Sequence, residues 1–402
     1  MLTRREFLNA SSLGGAAAVA GLTPLLEAQE SHKARISSVE PLVLHGRSDP
    51  RTRPWVWTRV RTDQGVTGYG ECYAWMLERG NLRIPAIVRG IGERIEGRSA
   101  TAIEGFRQRF WSEGSDLEWY AALATVEIAM WDILGQLAGL PVHALLGGRV
   151  RDRIPVYANY STFSGRDTPS RVESAVQAKE MGFRFFKWDP FAERGAPPAS
   201  AIEKEVEQVR AIHEAVAPEM RIAIDAHGRY TDPAAAVAAA RFLEPFDPLF
   251  FEEPTQRGRP DLLLQVAAGT SLPLAVGEMH RTLEEAREWL DTGVLDVLQP
   301  EVGNDGGILE TYLMAMLADT YGVSVAPHGW VGPVAVRAAT QVCAVIPNLL
   351  LQEYPGSRPD HRWTQELIEP ASEIADGELV IPDGPGLGFR VDEKELERIR
   401  IA

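Results

Sequence analysis

The chain has 402 residues, carries 56 acidic against 41 basic side chains for a net charge of −15, and is 45% hydrophobic; this globular composition excludes collagen, coiled coil and general disorder. Without a basic block it lacks the electrostatic footprint that phosphate-backbone binding needs, so small molecules rather than nucleic acid are the expected partners. Cys72 and Cys343 are too few for a disulfide framework, lack the spacing of a zinc site, and read as packing residues.

The first thirty residues read as an address. Arg4 and Arg5 stand ahead of a weakly apolar, Ala/Gly-rich stretch over 13–26, a pattern that resembles a twin-arginine (Tat) export signal. The stretch is shorter than the roughly 20 residues that span a bilayer. A signal over 1–28, export to the periplasm and a mature form free of the membrane are therefore expected. A leader that does not function would leave the protein in the cytoplasm.

From residue 35 the chain reads as strands over 37–44, 56–61 and 66–71, the last two joined through Asp63, Gln64 and Gly65, a hairpin signal. Helical patterns follow over 82–146, clearest at 120–137. Together they predict an α+β capping domain over 35–150. Over 151–375 short apolar runs alternate with amphipathic stretches. The runs are 156–161, 183–189, 222–225, 249–253, 274–278, 295–301, 323–328 and 349–353. Eight such strands alternating with helices predict an α/β fold, a (β/α)8-type barrel. Pro355, Pro359 and Pro370 argue against a full helix after the last strand, giving seven βα units plus a strand. The tail over 376–402 is expected to return to the capping domain.

Every run after the first ends in an ionisable residue that a buried strand would not otherwise choose: Lys187, Asp225, Glu252, Glu278, Glu301, His328 and Glu353. Equivalent positions on successive parallel strands meet at one rim of a barrel, the C-terminal face where barrel enzymes keep their sites. Asp225, Glu252 and Glu278 lie on three consecutive strands. Converging carboxylates repel unless a cation neutralises them, and an all-oxygen set favours Mg²⁺ over zinc. Each could instead cap the following helix, a reading that weakens for three together. His227 lies two residues past Asp225, on the same side if the strand persists, and Asp189 has the same relation to Lys187. Glu301 and His328 fit a carboxylate–imidazole pair that orients the ring and raises its basicity.

These residues, with Trp131–Asp132–Ile133, Leu145 to Gly148, Phe251 to Pro254, Gly277–Glu278, Gln299–Pro300–Glu301 and Gly306–Gly307, resemble the enolase superfamily. Within it the chain is similar to the mandelate racemase branch and its acid-sugar dehydratases of the galactonate dehydratase type. The resemblance covers about residues 35 to 402. It implies Mg²⁺ on Asp225, Glu252 and Glu278, His328 as the base with Glu301 behind it, Lys187 stabilising the enediolate, and Glu353 as a donor to the intermediate. His227, within Asp225 to Arg229, matches the position of a general acid for the departing hydroxyl. Asp189, Trp188, Arg229, Asn159 and Trp330 are expected at the substrate, with the loops over 51–57 and 75–81 helping to choose it. An acid-sugar substrate and a homo-oligomeric assembly are expected.

The chain departs from the branch at two places. Glu301 stands where Asp is common, a longer arm that could shift the imidazole. Strand two reads Lys187–Trp188–Asp189, where racemases of the branch carry lysine at both ends. Loss of the second lysine favours one-base elimination, while Asp189 gains no role. Two other readings stay open: a racemase or epimerase using His328 against Lys187 or His227, and a non-catalytic sugar-acid binder that has kept the fold.

Overall fold

The structure, a computed structural model, describes residues 34–44, 55–72, 83–159, 167–191, 199–329, 331–355 and 367–401. The expected leader, Trp330, and most of the two expected substrate-choosing loops lie outside these residues.

The N-terminal unit opens with an antiparallel sheet, β1 (Ile36–Leu44), β2 (Trp55–Thr62) and β3 (Thr67–Cys72) in that order. The β2–β3 turn closes at Gly65, with φ of 80°. Three helices follow: α1 (Arg83–Ile95), α2 (Ile103–Phe110) and α3 (Leu117–Ala138). The α3 helix starts at Asp116, whose side chain accepts from Trp119 N, and ends at the left-handed Gly139, a capped start and a glycine stop. By length and composition alone α3 could cross a membrane, but 78% of its apolar window is buried inside the protein. It is apolar on most sides because β3 covers it so closely: a Cβ on Gly70 would stand 1.8 Å from the Thr125 carbonyl oxygen. The short α4 (Val142–Leu145) leads out of this unit.

Eight parallel strands then alternate with seven helices. In chain order they are β4 (Arg153–Asn159), α5 (Thr168–Glu180), β5 (Phe185–Trp188), α6 (Ala199–Val216), β6 (Arg221–Asp225), α7 (Pro233–Leu243), β7 (Phe251–Glu252), α8 (Pro260–Ala267), β8 (Leu274–Val276), α9 (Leu283–Leu290), β9 (Val297–Leu298), α10 (Ile308–Thr320), β10 (Ser324–Val325), α11 (Pro333–Val345) and β11 (Gln352–Tyr354). Each strand pairs with the next from β4 to β10, β11 pairs with β4, and a Val325–Leu349 bridge joins the remaining edges. The sheet is thereby closed as a barrel. No helix follows β11 among the described residues, in keeping with the prolines there. Tyr157, Ala223, Phe250, Ala275, Val297, Ala326 and Leu351 form a separate buried cluster, small and large side chains filling the barrel below the rim.

Beyond the barrel come β12 (Ile368–Glu369), β13 (Ile374–Ala375), β14 (Glu378–Val380), β15 (Arg390–Val391) and α12 (Glu393–Ile399). The β14 strand pairs antiparallel with the first residues of β4. The last residues reach the N-terminal sheet, with Ile401 N donating to Val43 O at 2.8 Å and Arg59 bridging Glu393 and Glu397.

Two buried glutamates dock the N-terminal unit on the barrel rim. Glu71, at the end of β3, accepts from Val334 N (2.9 Å) and Ala335 N (3.0 Å) at the start of α11. Glu127, on α3, accepts from Ile308 N (2.8 Å) and Leu309 N (3.0 Å) at the start of α10. Helix N-termini carry unpaired N–H groups and partial positive charge, and these two helices begin at the C-terminal face of the barrel. The unit is thus seated as a cap over that face.

Candidate active site

Strand register brings the ionisable residues together. Asn159 pairs with Lys187, Lys187 with Ala223, and Asp225 with Glu252. Glu278 follows Gly277, whose φ is 146° and whose Cβ, if present, would lie 2.6 Å from Gln299 N. Glycine there lets the chain leave β8 hard against β9 and turn Glu278 into the site.

One carboxylate oxygen from each of Asp225, Glu252 and Glu278 lies within 4.8 Å of the others, and all three residues are buried. Burial, then the charge of Asp225, raises the Glu252 carboxyl to about 8. Lys187 Nζ answers it at 2.7 and 2.8 Å from the Glu252 oxygens and 3.5 Å from Asp225 Oδ2. Gln299 Nε2 donates to Glu252 Oε2 at 2.7 Å, while its own buried amide oxygen has no protein partner. For Glu278, burial alone would raise the pKa, but Arg257 and then His328 overcome it and hold the carboxyl at about 2. The donor set is all oxygen, dry and acidic; it fits a hard divalent cation. Gln299 and Arg257 were not singled out in the sequence. Gln299 lay inside a quoted motif, and Arg257 sits in a loop with no pattern to mark it.

His328 stands at one flank of this triad. Its Nδ1 is 2.7 Å from Glu301 Oε2, and its Nε2 is 3.1 Å from Glu278 Oε2 and 3.6 Å from Glu353 Oε2. The longer Glu301 arm therefore still reaches the imidazole. Burial would lower the ring's pKa, yet Glu353, Glu278 and Glu301 raise it to about 10. Glu353, expected to donate to the intermediate, stands in the site and accepts from Tyr157 Oη (2.9 Å), Gly329 N (2.9 Å) and Asn159 Nδ2. Against its burial, Lys187 and His328 lower its pKa to about 2. Asn159 reaches the site through that contact.

His227 stands at the other flank. Its backbone φ is 50°, a left-handed conformation that histidine tolerates better than most residues, and its N–H bonds to Asp225 Oδ1 at 2.8 Å. Its Nε2 is 3.5 Å from Asp225 Oδ2 and its Nδ1 is 3.0 Å from Asp189 Oδ2. Burial lowers and the Asp225 charge raises the ring's pKa, with a net rise to about 10.

Of the other expected substrate contacts, Trp188 faces away from the site and Arg229 stands behind His227, on Asp189. Trp188 is fully buried and donates from Nε1 to Gln208 on α6 at 3.2 Å, because strand alternation that turns Lys187 inward turns its neighbour to the helix layer. Arg229 donates to Asp189 Oδ2 at 2.6 Å, to Ala226 O at 3.2 Å and to Phe191 O, tying two loops together.

Fold and site place the molecule among barrel enzymes that gather ionisable strand-end residues around an acidic triad fit for a cation. Residues 34–147 match the family model "Mandelate racemase / muconate lactonizing enzyme, N-terminal domain", and residues 170–395 match "Enolase C-terminal domain-like". The chain is 32% identical over 378 residues to a D-gluconate dehydratase of Thermoproteus tenax, covering 92% of this chain and 75% of that protein. It is 34% identical over 353 residues to a D-galactonate dehydratase of Variovorax paradoxus, covering 85% and 90%. A crystal structure of a mandelate racemase/muconate lactonizing enzyme from Sulfitobacter superposes with a TM-score of 0.84 at 30% identity, covering 91% and 95%. The chain belongs to the mandelate racemase/muconate lactonizing enzyme family of the enolase superfamily.

Proposed function

We propose that this acid-sugar dehydratase acts on an aldonate such as galactonate, gluconate or mannonate and uses Mg²⁺ held by Asp225, Glu252 and Glu278. The bound ion would supply positive charge beside the substrate carboxylate. The ion's charge would offset the Glu278 carboxylate that helps to raise the His328 ring's pKa; the neutral ring, with Nδ1 committed to Glu301, takes the C2 proton on Nε2, and the C–H bonding pair becomes the C1–C2 double bond of an enediolate. Lys187 stabilises the negative charge that builds up there. That electron pair then forms the second bond of a C2–C3 double bond as the C1 carboxylate is restored and the C3–O bond breaks, and the departing hydroxyl takes a proton from His227 and leaves as water. The resulting enol tautomerises to a 2-keto-3-deoxy acid.

One observation carries this reading. Two imidazoles flank a single carboxylate triad, His227 beside Asp225 and His328 beside Glu278, each with Nδ1 on a further carboxylate. One base and one acid suit elimination across C2 and C3. The names of the relatives support the substrate class. A library of aldonates incubated with Mg²⁺ should yield a 2-keto-3-deoxy acid from at least one member; an inverted hydroxy acid as the only product would overturn elimination. In the same reading the mature enzyme is a homo-oligomer exported through the Arg4–Arg5 signal.

A further inference from the structure

We propose that Asp189 is the positioning residue of His227, fixing the ring so that Nε2 faces the reacting hydroxyl; this rests on the reading of His227 as the general acid. Both Asp189 oxygens are taken by the protein. Oδ1 accepts from Phe191 N at 2.8 Å, and Oδ2 accepts from Arg229 Nη2 at 2.6 Å and faces His227 Nδ1 at 3.0 Å. A carboxylate so engaged is poorly placed to bind sugar hydroxyls. It is well placed to orient the ring, because a carboxylate that accepts the Nδ1–H leaves the Nε2–H to face the substrate.

The two histidines differ in what else could hold them. The side chain of His328 is 6% exposed, so packing restrains it along with Glu301. That of His227 is 38% exposed, so it relies more on its polar contacts. Asp189 supplies the restraint, and Arg229 fixes Asp189 in turn: its guanidinium lies 5.5 Å over the Phe191 ring and bonds to carbonyls of both loops. The site thus holds two carboxylate–imidazole pairs, Glu301–His328 and Asp189–His227, one at each flank of the triad.

The test uses the full-length protein with Mg²⁺ and D-gluconate or D-galactonate. It compares Asp189→Ala, Asp189→Asn and His227→Asn with the unaltered enzyme. Asp189→Asn is close to isosteric, keeps an acceptor for Phe191 N and so guards against misfolding, but sets an amide N–H against Nδ1. Both Asp189 variants should lose about 10- to 100-fold in kcat for dehydration, with KM little changed and C2 hydrogen exchange with deuterated water retained. Equal loss of exchange and dehydration would mean a structural role, and a raised KM at unchanged kcat a substrate contact; either overturns the proposal. Normal dehydration by His227→Asn would instead remove the general acid itself. Independently of any substrate, NMR spectra should show the His227 Nδ1–H held in a hydrogen bond in the unaltered protein and released in Asp189→Ala. An unchanged Nδ1–H signal in that variant would also overturn it.

Discussion

Glu252 is tied firmly into the site: both oxygens face Lys187 Nζ, and one also accepts from Gln299. Removing one partner of a buried ion pair ordinarily costs about 3 to 5 kcal/mol, but Lys187 keeps Asp225 and Glu353 within 3.7 Å. Glu252→Gln should therefore fold, with an unchanged circular dichroism spectrum. It should also lose turnover and the rise in Tm that Mg²⁺ gives the unaltered protein by mass action. Full activity of the unaltered enzyme in excess chelator would contradict the metal assignment. The Glu301–His328 distance of 2.7 Å answers the doubt raised by the longer side chain. Glu353 draws its charge state from Lys187 and His328, partners that its own stretch of sequence does not reveal.

At the scale of elements, Glu71 and Glu127 cap α11 and α10 from the neighbouring unit, and burial raises both carboxyls to about 8. The fold thus favours the protonated form. A group whose pKa rises on folding contributes stability that is full below its ordinary value, 4.5 here, and fades as pH climbs through about 8. The Tm should accordingly fall between pH 5 and 9. Glu71→Gln, which cannot ionise, should flatten that fall in a pH series of thermal melts. Parallel curves for the two proteins would show that Glu71 does not titrate in this range. The barrel itself was legible because parallel strands buried on both faces read as apolar runs, and each run ended in a polar residue. The cap hairpin was legible through its turn residues. What escaped were partners brought together by closure: Asp189 with His227, Arg257 with Glu278, and Glu71 with the start of α11. Such contacts leave no local pattern. Trp188 is different: it was expected at the substrate, although period-two alternation from Lys187 turns it outward.

The whole molecule sets a cap over the charged rim of a closed barrel, with a tail that pairs with the start of β4 and returns to the cap sheet; we propose that the leader is an export signal. Replacing Arg4 and Arg5 together with Lys should keep the protein in the cytoplasm, because the receptor reads the pair; efficient appearance of the substituted protein in the periplasm would refute the signal. The central claim is the division of labour between the two histidines, and hydrogen exchange at C2 in deuterated water tests it most directly. General acid or base assistance is typically worth about 10² to 10⁴ in rate, well within reach of a product assay. His328→Asn should stop both dehydration and C2 exchange, since no enediolate forms. His227→Asn should stop dehydration while C2 exchange continues. Exchange in His328→Asn with none in His227→Asn would reverse the assignment, and normal dehydration by either variant would remove that histidine from the mechanism.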